Sequence, residues 1–295
     1  MFEISKEGPI PVIRIESKTQ TPGAAGNLAS SIRNLGAAVS IVGIVGNDPN
    51  GQVVVTKLRE KGIDVERVLV NPQKPTLTYT KVRARVENTP SREIFRMDVL
   101  PDSPPVPALE KRLLRAVTEA AKSVRGIIVL DQIHHLVTRR LLEEIPGIAR
   151  ASGALLHGSS REHIRDFRRF NLITPNAREA HLAVGGEAQD VERLGTTLRE
   201  MGEHEKVMLT LGAGGMALFS VNGRVERVPT FARSVVDVTG AGDAVSSVAL
   251  LGNILGWDLK SLAWAASQAA AIAVEHVGTH HVTAAELEDR ILELA

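Results

Sequence analysis

The sequence predicts an α/β protein, a mainly parallel sheet with helices on both faces that carries a small β-rich lid. From about residue 107 onward, helical segments alternate with short apolar strands, the pattern of a parallel sheet wrapped by helices. The early segments PIPVIRIES and TLTYTKVRARVE instead alternate side chains with a period of two, which marks half-exposed antiparallel strands. At 295 residues the chain is long enough for a large core, with a prior of one or two domains, and no linker or internal repeat divides it.

In chain order, PIPVIRIES and TLTYTKVRARVE are expected to form one small sheet, the lid, over residues 1–17 and 75–100, on a core of residues 18–74 and 101–295. Between them GNLASSIRNLGA is helical in pattern, VSIVGIVG reads as a buried strand and QVVVTKLREKG as a helix. The core continues with the helix ALEKRLLRAVTEAAKSV, the strand GIIVLD, the helix TRRLLEEIPGIARASG and the strands ALLHG and NLITPN. After the helix VERLGTTLREMG comes a strand pair around KVMLTLGAGGMALFS, a turn at VNGR and three closing helices. One of these, SLAWAASQAAAIAVEHV, is apolar nearly all round and so is expected to be buried.

Composition narrows the partners. With 35 basic and 34 acidic residues the net charge is +1, which leaves no basic footprint for nucleic acid or an anionic membrane and favours small neutral or anionic molecules. The absence of cysteine excludes disulfides, thiolate metal sites and cysteine nucleophiles. MFEISKEGPIPV lacks the charge and apolar pattern of a signal peptide, and no apolar run is long enough to span a bilayer, so a soluble cytoplasmic protein is expected.

The most informative stretch is DVTGAGDAV, residues 237–245, which runs into an apolar helix. A helix start leaves backbone N–H groups without partners and carries partial positive charge, so glycines there let an anion reach the bare backbone. Either Thr239 or Asp243 caps the helix, or the amides of Gly240, Ala241 and Gly242 hold charge on a phosphoryl group while Asp243 takes a proton. In ITPNARE, Asn176 and Glu179 follow a strand and share one side of a starting helix, which suits either a capping box or a magnesium ion that keeps most of its waters. TLGAGG, residues 210–215, is a glycine-rich turn after a strand, which suits either an ordinary turn between strands or the close approach of a nucleotide phosphate or ribose. The adjacent pairs His134–His135 and His280–His281 diverge and have no third ligand at zinc spacing, so they are expected to be solvated loop residues.

The order PGAAGN, VGND with Gly51, TPNARE, TLGAGG and DVTGAGD resembles the ribokinase or PfkB family of carbohydrate kinases over essentially the whole chain. The resemblance implies a ribokinase-like three-layer α/β/α core with a lid, and phosphoryl transfer from ATP with magnesium. By that resemblance Asp243 is the base, and the amides of Gly240, Ala241 and Gly242 form the anion hole. Asn176 and Glu179 match the magnesium motif, and Thr210, Gly212, Gly214, Gly215 and Ser267 belong to the nucleotide site. Gly23 and Asn27 are expected to bind the sugar, and Asp237 lies where some members hold a monovalent cation. Within the family, PIPVIRIES, PTLTYTKVRAR, FRMDV and VGTHHVTAAELE are most similar to the heptose phosphate kinases of ADP-heptose synthesis. This implies a phosphorylated sugar bound by Lys81, Arg83 and Arg96, for which the alternative is an exposed strand face that usually carries such charges, and a homodimer joined through the lid. Strand alternation would place Lys81, Arg83 and Arg85 on one face and Val82, Ala84 and Val86 on the other.

Several positions depart from the family pattern. The usual first strand, with its G-D then D pattern, is absent from these residues, and with it one sugar ligand. Gly23 is followed by Ala24 where a second glycine is usual, and LDQIHH and LLHGSS put His134, His157 and Ser159 where charged groups are expected. The alternative is therefore a degenerate member that binds nucleotide or sugar without efficient catalysis.

Overall fold

The structure, a computed structural model, describes residues 3–4, 6–9, 11–12, 15–84, 92–132, 135–185 and 190–293. The expectations for His134, Arg85 and Val86 lie outside these residues. The chain runs β1 (Glu3–Ile4), β2 (Pro11–Val12), α1 (Gly23–Asn34), β3 (Ser40–Gly46), α2 (Pro49–Glu60), β4 (Asp64–Asn71), β5 (Thr78–Ala84), β6 (Arg92–Val99) and α3 (Pro107–Ala121). It continues through β7 (Gly126–Asp131), α4 (Arg139–Ser152), β8 (Leu155–Ser160), β9 (Leu172–Ile173), α5 (Ala177–Val184), α6 (Val191–Gly202) and β10 (Lys206–Thr210). It closes with β11 (Met216–Ser220), β12 (Val225–Val228), α7 (Ala241–Ile254), α8 (Leu259–Val274) and α9 (Ala284–Leu292).

The main sheet has six strands in the order β12-β11-β10-β9-β8-β7. Strands β7 to β10 run parallel, and the hairpin β10–β11–β12 adds an antiparallel end. Along β10, Val207 and Leu209 point into the core under α4, α5 and α6, while Met208 points into the core under α7 and α8, as a period of two requires. The second core is built largely from alanines of α8, including Ala263, Ala266 and Ala269. Their small side chains let the helix lie close to the sheet, which explains the apolar all-round sequence.

β3 and β4 pair in parallel as a separate two-stranded sheet, yet they share the covering layers of the main sheet. Val42 and Ile44 of β3 join the core that holds Val129 of β7 and the α3 side chains Leu113 and Leu114. On the opposite face Val39 packs with Ile128 and Leu130 around Leu28 of α1 and Leu250 of α7. The two sheets thus lie in one α/β/α sandwich, and among the described residues no strand pairs with the far edge of β3 or of β7. Between these edges runs a cavity of about 2820 Å³ that continues up to the carboxyl ends of the strands.

The lid differs from the sequence expectation. β5 pairs antiparallel with β6, and β2 with β1, so PIPVIRIES and TLTYTKVRARVE lie in separate two-stranded ladders. A period of two fixes the faces of a strand but not its neighbour, and β6, which follows β5 in the chain, is reached by a shorter loop closure. Among the described residues no helix is long and apolar enough to cross a membrane.

Candidate active site

The turn before α7 is built by backbone geometry. Gly240 adopts φ +90 as the residue preceding the helix, a conformation that favours glycine, and a Cβ there would stand a tight 3.1 Å from Thr279 Cγ2. Among the described residues no side chain caps this helix start, which sets aside the capping role weighed for Thr239 and Asp243. The Ala241 N–H makes only a long bond of 3.4 Å to the Val238 carbonyl. Asp237 braces the turn from below, its Oδ1 accepting from Thr239 N at 2.9 Å and its Oδ2 from Gly278 N at 3.0 Å. The hydrogen bonds from Thr239 hold its pKa below the usual range. Both oxygens are thus engaged at the position expected for a monovalent cation.

Asp243 sits half-buried in the first turn of α7 and lines the cavity. Burial pushes its pKa up to about 6, partly opposed by the charge of Arg161. Glu179 lines the same cavity; burial raises its pKa as well, against the Asn176 amide and the charges of Arg161 and Arg178. Asn176 and Glu179 form a full capping box at the start of α5, with Asn176 N–H donating to Glu179 Oε2 at 2.8 Å and Glu179 N–H to Asn176 Oδ1 at 2.9 Å. The capping alternative is thus realised. It leaves Glu179 Oε1 free of the cap, on a carboxylate that burial makes receptive to a cation, so the donor set fits a magnesium ion held by one carboxylate oxygen and water.

The glycine turn stands alongside. Thr210 bridges to Asn176 and its N–H donates to the Pro175 carbonyl at 3.0 Å, so the ends of β9 and β10 meet at the cavity, where Thr210 and Gly212 are lining residues. Gly214 and Gly215 close the turn, with Leu211 N–H donating to the Gly215 carbonyl at 2.8 Å. Ser267 is not brought to this site: it is buried, and its hydroxyl donates to the Pro229 carbonyl at 2.8 Å.

On the other wall, Gly23, with φ +78, opens α1, and one turn later Asn27 is buried with its Oδ1 unpartnered among the described residues. Both line the cavity, although the unpartnered oxygen itself is shut off from it. Lys81, Arg83 and Arg96 of the lid also line it. Lys81 lies 3.4 Å from Glu93, and Arg96 grips Asp98 with two bonds of 2.6 and 2.8 Å while stacking on Tyr79 at 4.1 Å. The charge of Arg83 reaches Asp237.

Arg161 escaped the sequence reading. It lies one residue past β8, lines the cavity and acts on both Asp243 and Glu179. Its signal was its place just beyond the carboxyl end of a parallel strand, where α/β ligand sites form. His157 is fully buried and bonded through Nε2 to Thr174 Oγ1 at 3.0 Å, which in turn meets Ser246 at 2.9 Å. Burial pushes its pKa down to about 3, so it is neutral and structural. Ser159 lines the cavity, as does Asp131, whose carboxylate accepts from Ser160 at 2.7 Å and contacts His163 at 3.0 Å.

Known proteins are similar to this chain in sequence or in fold. The bifunctional protein HldE of Desulfatibacillum aliphaticivorans is 33% identical over 98% of this chain and 59% of its own length, so the chain spans somewhat over half of such relatives. Phosphofructokinase-2 from Escherichia coli, solved in complex with potassium, superposes with a TM-score of 0.73 at 17% identity, over 91% of this chain and 86% of that one. Ribokinase from Arabidopsis thaliana, solved with ribose and ATP, gives a TM-score of 0.70 at 17% identity over 95% and 91% of the two chains. The sequence model of pfkB family carbohydrate kinases matches residues 5–285. A match of that extent, on a ribokinase-like fold, means that the chain belongs to the pfkB family of carbohydrate kinases.

Proposed function

We propose that this chain transfers the γ-phosphate of ATP to a hydroxyl of a sugar or sugar phosphate, with a heptose phosphate as the preferred acceptor. The observation that carries this is the convergence on one cavity of Asp243 at an uncapped helix start, Glu179, Arg161 and the turn after Thr210. Asp243 accepts the proton of the acceptor hydroxyl. With its pKa lifted to about 6 it is a stronger base than an exposed aspartate yet remains ionised at neutral pH. The amides of Gly240, Ala241 and Gly242 and the guanidinium of Arg161 are assigned to the charge that grows on the transferred group, and fixed donors of this kind supply most of the catalysis in phosphoryl transfer. Thr210 and Gly212 border the nucleotide. Glu179, through Oε1 and water, would hold a magnesium ion, which neutralises phosphate charge when bound.

Asn27, on the wall of the cavity, is the residue of α1 assigned to the sugar. The basic lid residues support an acceptor that already carries a phosphate. Lys81 and Arg96 must trade Glu93 and Asp98 for it, and the charge-assisted bonds they gain favour the phosphorylated sugar. The opposite face of the ladder carries Phe95, Met97 and Val99, all more than 40% exposed. An exposed apolar ladder of two strands is marginal alone, and its proposed cover is the lid of a second copy.

The test is ATP consumption by the purified chain over a panel of sugars and sugar phosphates with magnesium, with and without potassium. Turnover is expected to be fastest with a heptose phosphate. Nucleotide binding without transfer to any acceptor would make the chain a binding protein instead.

A further inference from the structure

A second cluster of ligand-type side chains lies where α8 hands over to α9. His276 follows the end of α8, and its Nδ1–H donates to the Ile272 carbonyl at 2.8 Å, which leaves the lone pair on Nε2. The ring of His280 stacks on it with centroids 3.9 Å apart and planes 10° from parallel. His280 Nε2 is 2.9 Å from Glu286 Oε1. Glu286 is itself fixed by the capping box of α9, where its Oε2 accepts from both the N–H and the hydroxyl of Thr283 at 2.8 Å. One donor atom from each of the three residues falls within 4.8 Å of the others.

We propose that His276, His280 and Glu286 bind a divalent transition-metal ion of the zinc type, and that the ion braces the loop against which the anion-binding turn rests. Two imidazoles and a carboxylate, with water in the fourth place, are a donor set that suits zinc or cobalt; to complete it, His280 turns out of its stack on His276 and releases the Nε2 proton it shares with Glu286. The outer contacts are those of a metal site: a histidine whose other nitrogen donates to a backbone carbonyl, and a carboxylate held by its own hydrogen bonds. The neighbouring cations are already matched, Arg290 by Glu275 at 2.5 Å and Arg233 by Glu293. His281 points elsewhere, its Nδ1 3.4 Å from Lys61 Nζ. The adjacent pair therefore does diverge as expected, while the ligands come from the four-residue spacing between His276 and His280 and from a glutamate on the next helix.

The brace follows from the residues between the two histidines. Gly278 N–H donates to Asp237 Oδ2 at 3.0 Å, and Thr279 Cγ2 sits 3.1 Å from where a Cβ on Gly240 would be. An ion that ties the end of α8, this loop and the start of α9 together restricts the floor of residues 237–243. Binding itself does not depend on the kinase assignment.

The experiment uses the full chain freed of metal by chelator and dialysis. Co2+ is titrated while visible absorption is recorded, Zn2+ affinity is measured by calorimetry, and amide exchange is followed with and without Zn2+. One equivalent of Co2+ should give the intense ligand-field bands of a four-coordinate site. His280→Ala should remove them, and Glu286→Gln, which keeps a carbonyl oxygen for the Thr283 cap, should weaken Zn2+ binding at least ~10-fold. Zn2+ should slow exchange at residues 276–280 and 237–243 in the wild type only. If His280→Ala fails to fold, Glu286→Gln decides the matter alone. Absent bands, or affinity unchanged in Glu286→Gln, would overturn the site, and metal binding that leaves exchange at 237–243 unaltered would overturn the brace.

Discussion

Strands β8 to β10 and strand β3 are both parallel strands of one sandwich, but they are buried to different degrees. Leu156, Ile173, Val207 and Leu209 are at most 2% exposed, whereas Ser40 to Ile44 of β3 are all partly accessible. The cause is the number of neighbours. β8 to β10 have a strand on each side, while among the described residues β3 pairs only with β4 and faces the cavity across its other edge. The side that carries Glu179 and the glycine turn is therefore the more densely packed of the two. The side that carries Asn27 and the lid is the less densely packed, and low packing density goes with easier local opening.

The largest expected effect tests the more densely packed side. Asp243→Asn should lower the rate of phosphoryl transfer by at least ~100-fold while nucleotide affinity, measured by calorimetry, stays within a few-fold. The same residue gives a pH signature. Its pKa in the folded chain, about 6, lies above its unfolded value, so the fold favours the protonated form: the stabilisation is complete below the unfolded pKa and is lost as pH rises through about 6. Activity, which needs the ionised form, should fall as pH drops through the same value. Asp243→Asn should accordingly raise the Tm at pH 8 by roughly 2–6 °C and give no gain near pH 4.

Core truncations measure the contrast directly. Leu209→Ala should cost ~2–5 kcal/mol in denaturant unfolding, because a dense core cannot close over the void. Ile44→Ala, beside an existing cavity, should cost less than about 2 kcal/mol. Equal costs would erase the difference between the two sides. On the less densely packed side, Lys81→Met with Arg83→Gln should weaken binding of a sugar phosphate by ~10-fold or more and leave free sugar and ATP nearly unchanged. The smallest effect is expected from Glu179→Gln, a few-fold rise in the magnesium needed for half-maximal activity. An amide oxygen keeps the cap but lacks the charge, so an unchanged magnesium titration would leave Glu179 as a capping residue alone.

How much of this was legible in the sequence differs in the same way between the two sides. DVTGAGD, TPNARE and TLGAGG are local: a few adjacent residues set both the backbone turn and the chemistry, so their meeting at strand ends could be anticipated. Non-local facts were not. The period of two in TLTYTKVRARVE identified a strand but not that REIFRMDV would pair with it. Ser267 was expected near the nucleotide, and only packing shows its hydroxyl spent on Pro229. Arg161 has no motif around it and gains its importance from two carboxylates that arrive from distant segments. His276 stands apart from the adjacent histidine pair, and Glu286 reaches it only through the fold.

The space between β3 and β7 also has a mechanical meaning. A ladder of hydrogen bonds pins two strands in register, since sliding by one residue breaks every bond and inverts every face. Across this space the two sheets are coupled instead by side chains of α1, α3 and α7, among them Leu28 and Ile32 against Leu250. Apolar contacts of that kind are nondirectional, so small sliding of packed helices costs little compared with shearing a ladder. Among the described residues, β3, β4 and the helix bearing Asn27 are therefore joined to the strands that hold Glu179 and Thr210 by packing and not by a ladder.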